Sequence, residues 1–350
     1  MSSSPASSYS TWLSFAIIGV VVAGGGAAFA YTAGWLSPQA LTSQKLVDAL
    51  APATGPALGH RRNHAKGICF TGQFEANGSG ASLSKASMLA AGSYAVVGRL
   101  NLGTPDPKAN DATVRVRGLG IQITGADGQQ WRSAMIDPPF FPVSTPQAFY
   151  ELLIASASKD PEAMKRFAGA HPEIAAFGGW AKATPWTASY AEDRFNSLNS
   201  FIFTNAAGAE QAVRWSLVPT VAASALAPDD LAKRNADFLE QEIAERVKAG
   251  PVQWKMVVTL ANPGDPTADP SKAWPDDRKT VEVGTLSATQ ILAEDHGPCR
   301  DINFDPTVLP DGIRTSDDPF PAARSAAYAV SFDRRTAESG SYPSQQGAQQ

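Results

Sequence analysis

Four histidines, two cysteines and seven tyrosines are where redox, metal or acid–base chemistry could reside in this chain of 350 residues. His60 and His64 stand four apart, a spacing that can set two metal ligands on one helix face. Arg61, Arg62 and Asn63 lie between them. No carboxylate helps, and two guanidinium groups beside a dication are unfavourable, so a metal held by this pair is not expected. Taken singly, a histidine is ordinarily a hydrogen-bonded structural residue. Near the other end, Arg324 precedes Tyr328 by four residues. On a helix that spacing sets the guanidinium one turn from a phenol that ordinarily titrates at about 10, and opposite charge favours the phenolate. Such pairs arise often by chance, and the ordinary reading of Tyr328 is a packed aromatic. Cys69 and Cys299 fit no zinc spacing. They are expected as two buried, small apolar side chains, with a single bridge as the alternative if the domain lies outside the cytoplasm.

The segment Arg61-Arg62-Asn63-His64-Ala65-Lys66-Gly67 changes that weighting. It reads R-x-x-H-A-K-G, the distal-histidine motif of haem catalases, and from here onward the chain resembles that family. Arg99-Leu100-Asn101 stands where catalases have R-F-S, and Ala112-Thr113-Val114-Arg115-Val116-Arg117-Gly118 resembles A-D-T-V-R-D-P-R-G. Pro138-Pro139-Phe140-Phe141 resembles T-P-x-F-F, and Asp269-Pro270-Ser271-Lys272-Ala273-Trp274-Pro275 resembles D-x-T-K-x-W-P. Arg324-Ser325-Ala326-Ala327-Tyr328 fits the proximal R-x-x-x-Y, and Arg335 follows seven residues later, as in the family. The resemblance spans residues 50–335. Each fragment alone is weak. Six in one order, touching both sides of a haem, are specific.

The resemblance implies an α+β chain, a catalase-like antiparallel β-barrel with peripheral helices. It implies a haem, haem b, whose iron is held by Tyr328, because an anionic fifth ligand stabilises high-valent iron. Arg324 would favour the phenolate. Arg61, Arg99 and Arg335 would bind the haem propionates, which arginine's planar fork suits. His64 would stand over the distal face, take the proton of a bound peroxide and return it to the departing oxygen. Asn101 replaces the serine that usually supports this histidine. Phe149, eight residues after Phe141, would match the aromatic that catalases place over the haem, with plain core packing as the alternative.

Departures from the pattern bear on the reaction. Catalases carry a distal asparagine in V-G-N-N-T-P, where this chain has Ser133-Ala134-Met135-Ile136-Asp137-Pro138. With Pro138 set on the family proline, Met135 takes the asparagine's place and cannot donate a hydrogen bond. The chain also stops soon after the proximal helix, without the helical domain and wrapping segments of larger catalases. Both features resemble the smaller catalase-related peroxidases. The resemblance thus implies a peroxidase acting on organic hydroperoxides, and more weakly on hydrogen peroxide, with an external electron donor. The alternatives are an enzyme that rearranges hydroperoxides without a reductant, and a non-catalytic haem-binding protein.

These residues need a scaffold, and the rest of the sequence describes one. Hydrophobic residues make up 43% and charged residues 18%, enough apolar material for a globular core. The net charge of −4 and the lack of a basic block argue against a nucleic-acid partner. Gly and Pro, 29 and 26 residues, suit a turn-rich, stranded fold. Alternating runs at 93–102, 112–124, 131–136, 199–205, 211–221 and 253–262 predict antiparallel strands. Helices are predicted at 41–51, capped by Thr42 or Ser43, at 146–157, at 161–169, and as one long element at 228–249. The Pro- and Asp-rich stretch 263–279 reads as extended loop. Leu13 to Leu36 is a nearly unbroken apolar run with Trp12, Tyr31 and Trp35 near its ends. It has the length of a membrane span, roughly 20 residues. Ala28-Phe29-Ala30 resembles a cleavage site, but the usual positive n-region is missing. The expected organisation is a signal anchor at 1–38, an exported haem-binding domain at 39–335, periplasmic or otherwise extracytoplasmic, and a disordered polar tail at 336–350.

Overall fold

The computed structural model describes residues 8–32, 40–338 and 340. Its first element is helix α1 (Ser8–Thr32). Within it Trp12–Tyr31 is long and apolar enough to cross a bilayer, and none of that window is buried against the protein. Trp35, Leu36 and the tail residues 341–350 lie outside the described residues.

Twelve strands follow among the described residues. They are β1 (Gly67–Ala76), β2 (Gly92–Leu102), β3 (Arg117–Thr124), β4 (Gln130–Ile136), β5 (Trp186–Thr187), β6 (Phe195–Asn196), β7 (Phe201–Thr204), β8 (Glu210–Pro219), β9 (Ala225–Leu226), β10 (Val252–Leu260), β11 (Thr280–Leu292) and β12 (Ile313–Thr315). Eight of them close a ring in the order β1-β2-β3-β4-β6-β8-β10-β11, because β10 pairs with both β8 and β11, and β11 with β1. All these pairings are antiparallel. β7 and β12 extend β8 outside the ring, and β5 pairs with β9. Closure leaves the ring without unpaired edges, the liability of an open sheet.

Period-two alternation fills the ring and frees its outer face. Leu100 and Leu102 of β2, Leu119, Ile121 and Ile123 of β3, and Trp131 and Met135 of β4 belong to one buried core with Trp215 and Trp254. Trp131 meets Trp215 edge-on at 5.0 Å, and the Trp215 indole donates to Ser133 Oγ at 3.0 Å. That bond satisfies the one polar group such a buried ring carries. The opposite faces of the same strands present Arg99, Asn101, Gly118, Gly120, Ala134 and Ile136. Three helices cover them: α2 (Ser43–Ala49), α3 (Pro146–Ala157) and a long C-terminal helix whose Ala327 packs with Leu46, Val47 and Phe149.

Most predicted elements are present. The 41–51 helix forms as α2, with Thr42 accepting from the Lys45 amide, and the 146–157 helix forms as α3 on a Thr145 cap. α4 (Ala163–Ala170) follows, and α5 (Ile174–Ala183) was not anticipated, nor were strands β1 and β11. The predicted helix 228–249 is two helices, α6 (Pro228–Ala232) and α7 (Phe238–Ala249). Tertiary contacts break it. Asp111 donates its amide to Ala236 O and accepts the Leu239 amide, while Lys66 Nζ binds Ala236 O and Asp237 Oδ1. The last helix is α8 (Phe320–Ala337). The two cysteines are not separate apolar fillers: Cys69 and Cys299 form a disulfide across 230 residues. Pairing of β1 with β11 sets Cys69 opposite Leu292, which brings the following loop and Cys299 within reach.

Candidate active site

A cavity of about 580 Å³ lies between the outer face of β2–β4 and helices α2, α3 and α8. His64, Asn101, Arg61, Arg99, Phe149, Arg324, Tyr328 and Arg335, named from the sequence, all line it. That volume is in the range of small-molecule and cofactor sites, roughly 300–1,000 Å³.

His64 sits just before β1 in a left-handed backbone conformation, φ 55°. A non-glycine residue there is uncommon and persists only when its surroundings hold it. Its amide donates to Asn63 Oδ1 at 2.9 Å, its carbonyl accepts from Arg99 Nη1 at 2.8 Å, and its Nδ1 lies 2.6 Å from Asn101 Oδ1. The Asn101 amide nitrogen donates to Arg99 O, so its oxygen is the acceptor and Nδ1 carries the proton. The lone pair then resides on Nε2. Burial pushes His64 down to about 4, and Arg99, Arg324 and Arg61 add to the effect against the Asn101 bond, so the ring is neutral near pH 7.

Tyr328 comes from α8, where Arg324, Tyr328, Ser331 and Arg335 recur on one face. Arg324 donates to the Tyr328 hydroxyl oxygen at 3.0 Å, to Ala134 O at 2.9 Å and to Asn199 Oδ1 at 2.7 Å. Asn199 in turn donates to Asp318 Oδ2 at 2.9 Å, and Asp318 Oδ1 accepts the Phe320 amide at the start of α8. The guanidinium is therefore held by two other acceptors, Ala134 O and Asn199 Oδ1, as it meets the phenol. Sequence reasoning missed Asn199 and Asp318. The acid before Pro319-Phe320 is a helix-start signal that could have flagged the latter.

Arg61, Arg99 and Arg335 gather at one end of the cavity. Arg99 Nε and Nη2 grip Glu294 at 2.7 and 2.6 Å, and Arg61 Nε lies 3.5 Å from it. Arg61 Nη2 donates to the carbonyls of Cys299, Arg300 and Ile302 at 3.1, 3.2 and 3.1 Å. Arg335 donates to Arg300 O. Burial, then Arg99 and Arg335, push Arg61 down to about 9 despite Glu294. Glu294, another residue the sequence did not single out, is itself held low by Arg99 and Arg61 against its burial.

β4 corrects the assignment of Met135. Met135 borders the cavity, but its buried side chain packs in the barrel core, and Ala134 and Ile136 alternate to the cavity face. The cavity-facing group is thus aliphatic and, like methionine, donates no hydrogen bond. Phe149 is partly buried beside Phe141, ring centroids 5.2 Å apart, and Phe141 packs edge-on against Phe320.

The residues present fit a haem. The cavity wall is largely apolar, a neutral imidazole and an arginine-bound phenol both reach it, and the buried Arg61 Nε makes no hydrogen bond among the described residues. The positive field that lowers Arg61 is what two propionates would relieve. Fold and site together define a closed antiparallel barrel beside a cavity whose lining suits a haem. The family model described as "Catalase" matches residues 26–340. The chain is 34% identical over 331 residues to a "Catalase-related peroxidase" of Synechococcus elongatus, covering 93% of this chain and 96% of that one. It is 33% identical over 299 residues to a "Catalase-related peroxidase" of Mycolicibacterium paratuberculosis, covering 85% and 95%. A solved bacterial catalase superposes with a TM-score of 0.69 at 19% identity, over 79% of this chain, which spans 57% of that catalase's length. This chain belongs to the catalase family. Membership implies a haem cofactor.

Proposed function

We propose that the chain is a haem peroxidase reducing organic hydroperoxides, and hydrogen peroxide more weakly, with electrons from an external donor. The reaction is ROOH plus two electrons and two protons giving ROH and water. Haem b bound in the cavity supplies the redox-active iron at which the O–O bond breaks. Tyr328 is its oxygen ligand, and Arg324, 3.0 Å from that oxygen, favours the phenolate by charge and hydrogen bonding. Arg61, Arg99 and Arg335 hold the propionates. His64 Nε2 takes the hydroperoxide proton and delivers it to the leaving oxygen, with Asn101 fixing the tautomer that leaves Nε2 basic. Phe149 lends the cavity wall an aromatic face. The aliphatic surface of β4 offers no amide to hold a second small peroxide, which favours an external donor over disproportionation. A catalytic unit at 39–335 would stand outside the cytoplasm behind the anchor at 1–38, and the apolar helix and the disulfide support that placement.

The carrying observation is that the His64 imidazole and the Arg324-bound Tyr328 line the same cavity. The test is the absorbance spectrum of the purified full chain with and without cumene hydroperoxide. Tyr328→Phe should lose or shift the Soret band, and His64→Ala should keep the band and lose turnover of a chromogenic donor. An unaltered spectrum for the first, or wild-type turnover for the second, removes the reading. A new epoxide or ketol formed without consumption of donor replaces it with rearrangement.

A further inference from the structure

We propose that the Cys69–Cys299 disulfide is a positioning device for the cofactor's anionic edge: it fixes the loop whose carbonyls aim Arg61 and Arg335. This rests on the haem reading of the cavity. Both cysteines are fully buried, with Cα atoms 5.4 Å apart, and neither lines the cavity. Their influence must pass through neighbours, and two routes are visible. The first is the backbone. Cys299 O, Arg300 O and Ile302 O converge on Arg61 Nη2, and Arg300 O also receives Arg335 Nη1. Arg61 thus takes its main acceptors from a non-repetitive loop that follows a short 3₁₀ turn at Glu294–His296. Such a loop has no ladder of its own to hold three carbonyls on one point. The bridge ties it to β1, near the start of that strand in the closed barrel. The second route is packing. Cys69, Cys299 and Phe304 form one buried cluster with Ile302 and Leu292 around it, and the Arg61 guanidinium lies over the Phe304 ring, 5.7 Å from its centroid.

The fit is tight enough to be exacting. A Cβ on Gly297 would stand 2.5 Å from Cys69 Sγ and 2.5 Å from Ala293 O, so the loop passes the sulfur where only glycine fits. The arrangement also answers an electrostatic problem. Arg61, Arg99 and Arg335 lie near enough to repel one another, with Glu294 among them. A buried, mobile guanidinium in that field would swing away from its like-charged neighbours. Neutral carbonyl dipoles on a loop that cannot retreat hold Arg61 in place without cancelling its charge. The site is then set for an anion before the anion arrives, which lowers the ordering cost of binding.

The experiment is a double-mutant cycle on the full-length haem protein. Four proteins are compared: wild type, Cys69→Ala with Cys299→Ala, Arg61→Ala, and the combination. The reading is the rate of haem transfer to excess apomyoglobin, with thermal midpoint recorded separately. Removing the bridge should speed haem loss on the order of tenfold, the scale of a charge-assisted contact. Arg61→Ala should do the same in the bridged protein and add less than about twofold once the bridge is gone. Effects that multiply overturn the proposal, because a bridge that only stabilises the fold would act independently of Arg61. If the unbridged chain does not fold, Gly297→Ala replaces it, displacing the loop on an intact bridge, and the same comparison decides. Failure of the wild type to take up haem refutes the haem reading itself.

Discussion

Asn101→Ala isolates the contact that prepares His64 for proton transfer. The wild-type amide oxygen is 2.6 Å from Nδ1, and the amide nitrogen is tied to Arg99 O at 3.2 Å. The alanine variant leaves a buried N–H without an acceptor and frees the ring to take the other tautomer. Leaving such a group unsatisfied costs about 1–3 kcal/mol. If that cost falls on the reactive tautomer, the bimolecular rate with a hydroperoxide drops by about 5- to 150-fold, a decade for each 1.36 kcal/mol. Haem content should not change, because the Asn101 side chain bonds His64 Nδ1 and the Arg99 backbone carbonyl, not an arginine guanidinium or Tyr328. Stopped-flow loss of the resting Soret band under excess cumene hydroperoxide measures the rate directly. Asn101→Ser supplies a hydroxyl acceptor at the same strand position and should recover most of the rate. An alanine variant with full haem and wild-type rate would sink the tautomer argument.

Gly118→Ala should reproduce the defect with Asn101 itself unchanged, since a Cβ there collides with Asn101 Oδ1. The same stopped-flow assay checks this, and an unchanged rate means that the strand yields instead. The reaction rate should hold at and above neutral pH and fall as pH drops through about 4, because His64 is held down there and only its neutral form accepts a proton. A rate that instead falls through the ordinary histidine range, near 6.5, counts against that burial effect. Lys66→Met removes the partner of the fully buried Asp111, 2.6 Å away, and should destabilise folding by about 3–5 kcal/mol in urea titration. A loss under about 1 kcal/mol would show the pair to behave like a surface bridge.

How much could be read in advance depended on how local the cause was. Thr42 caps α2 as its sequence indicates, because an N-cap is decided within four residues. The six motif segments located both sides of the cavity, and the Arg324–Tyr328 contact follows from helical spacing alone. The break in 228–249 was invisible because its cause is Asp111 and Lys66, more than 120 residues upstream in the chain. Met135 was misplaced by counting from a proline. Which face of β4 a residue takes depends on strand pairing, and a one-position shift exchanges core for cavity.

Sequence by itself determined the chemistry available: a histidine followed by Ala-Lys-Gly, an arginine one turn before a tyrosine, and strands with alternating apolar residues. These are short-range patterns, and short-range patterns survive in one dimension. Only the tertiary structure decided the geometry that makes them a site. It set His64 in a left-handed turn held by Asn63, Arg99 and Asn101, gave Arg324 its Asn199–Asp318 support, and joined Cys69 to Cys299 beneath Arg61. Each of those contacts but one crosses tens to hundreds of residues. Barrel closure brings their partners together, and no local preference encodes that distance.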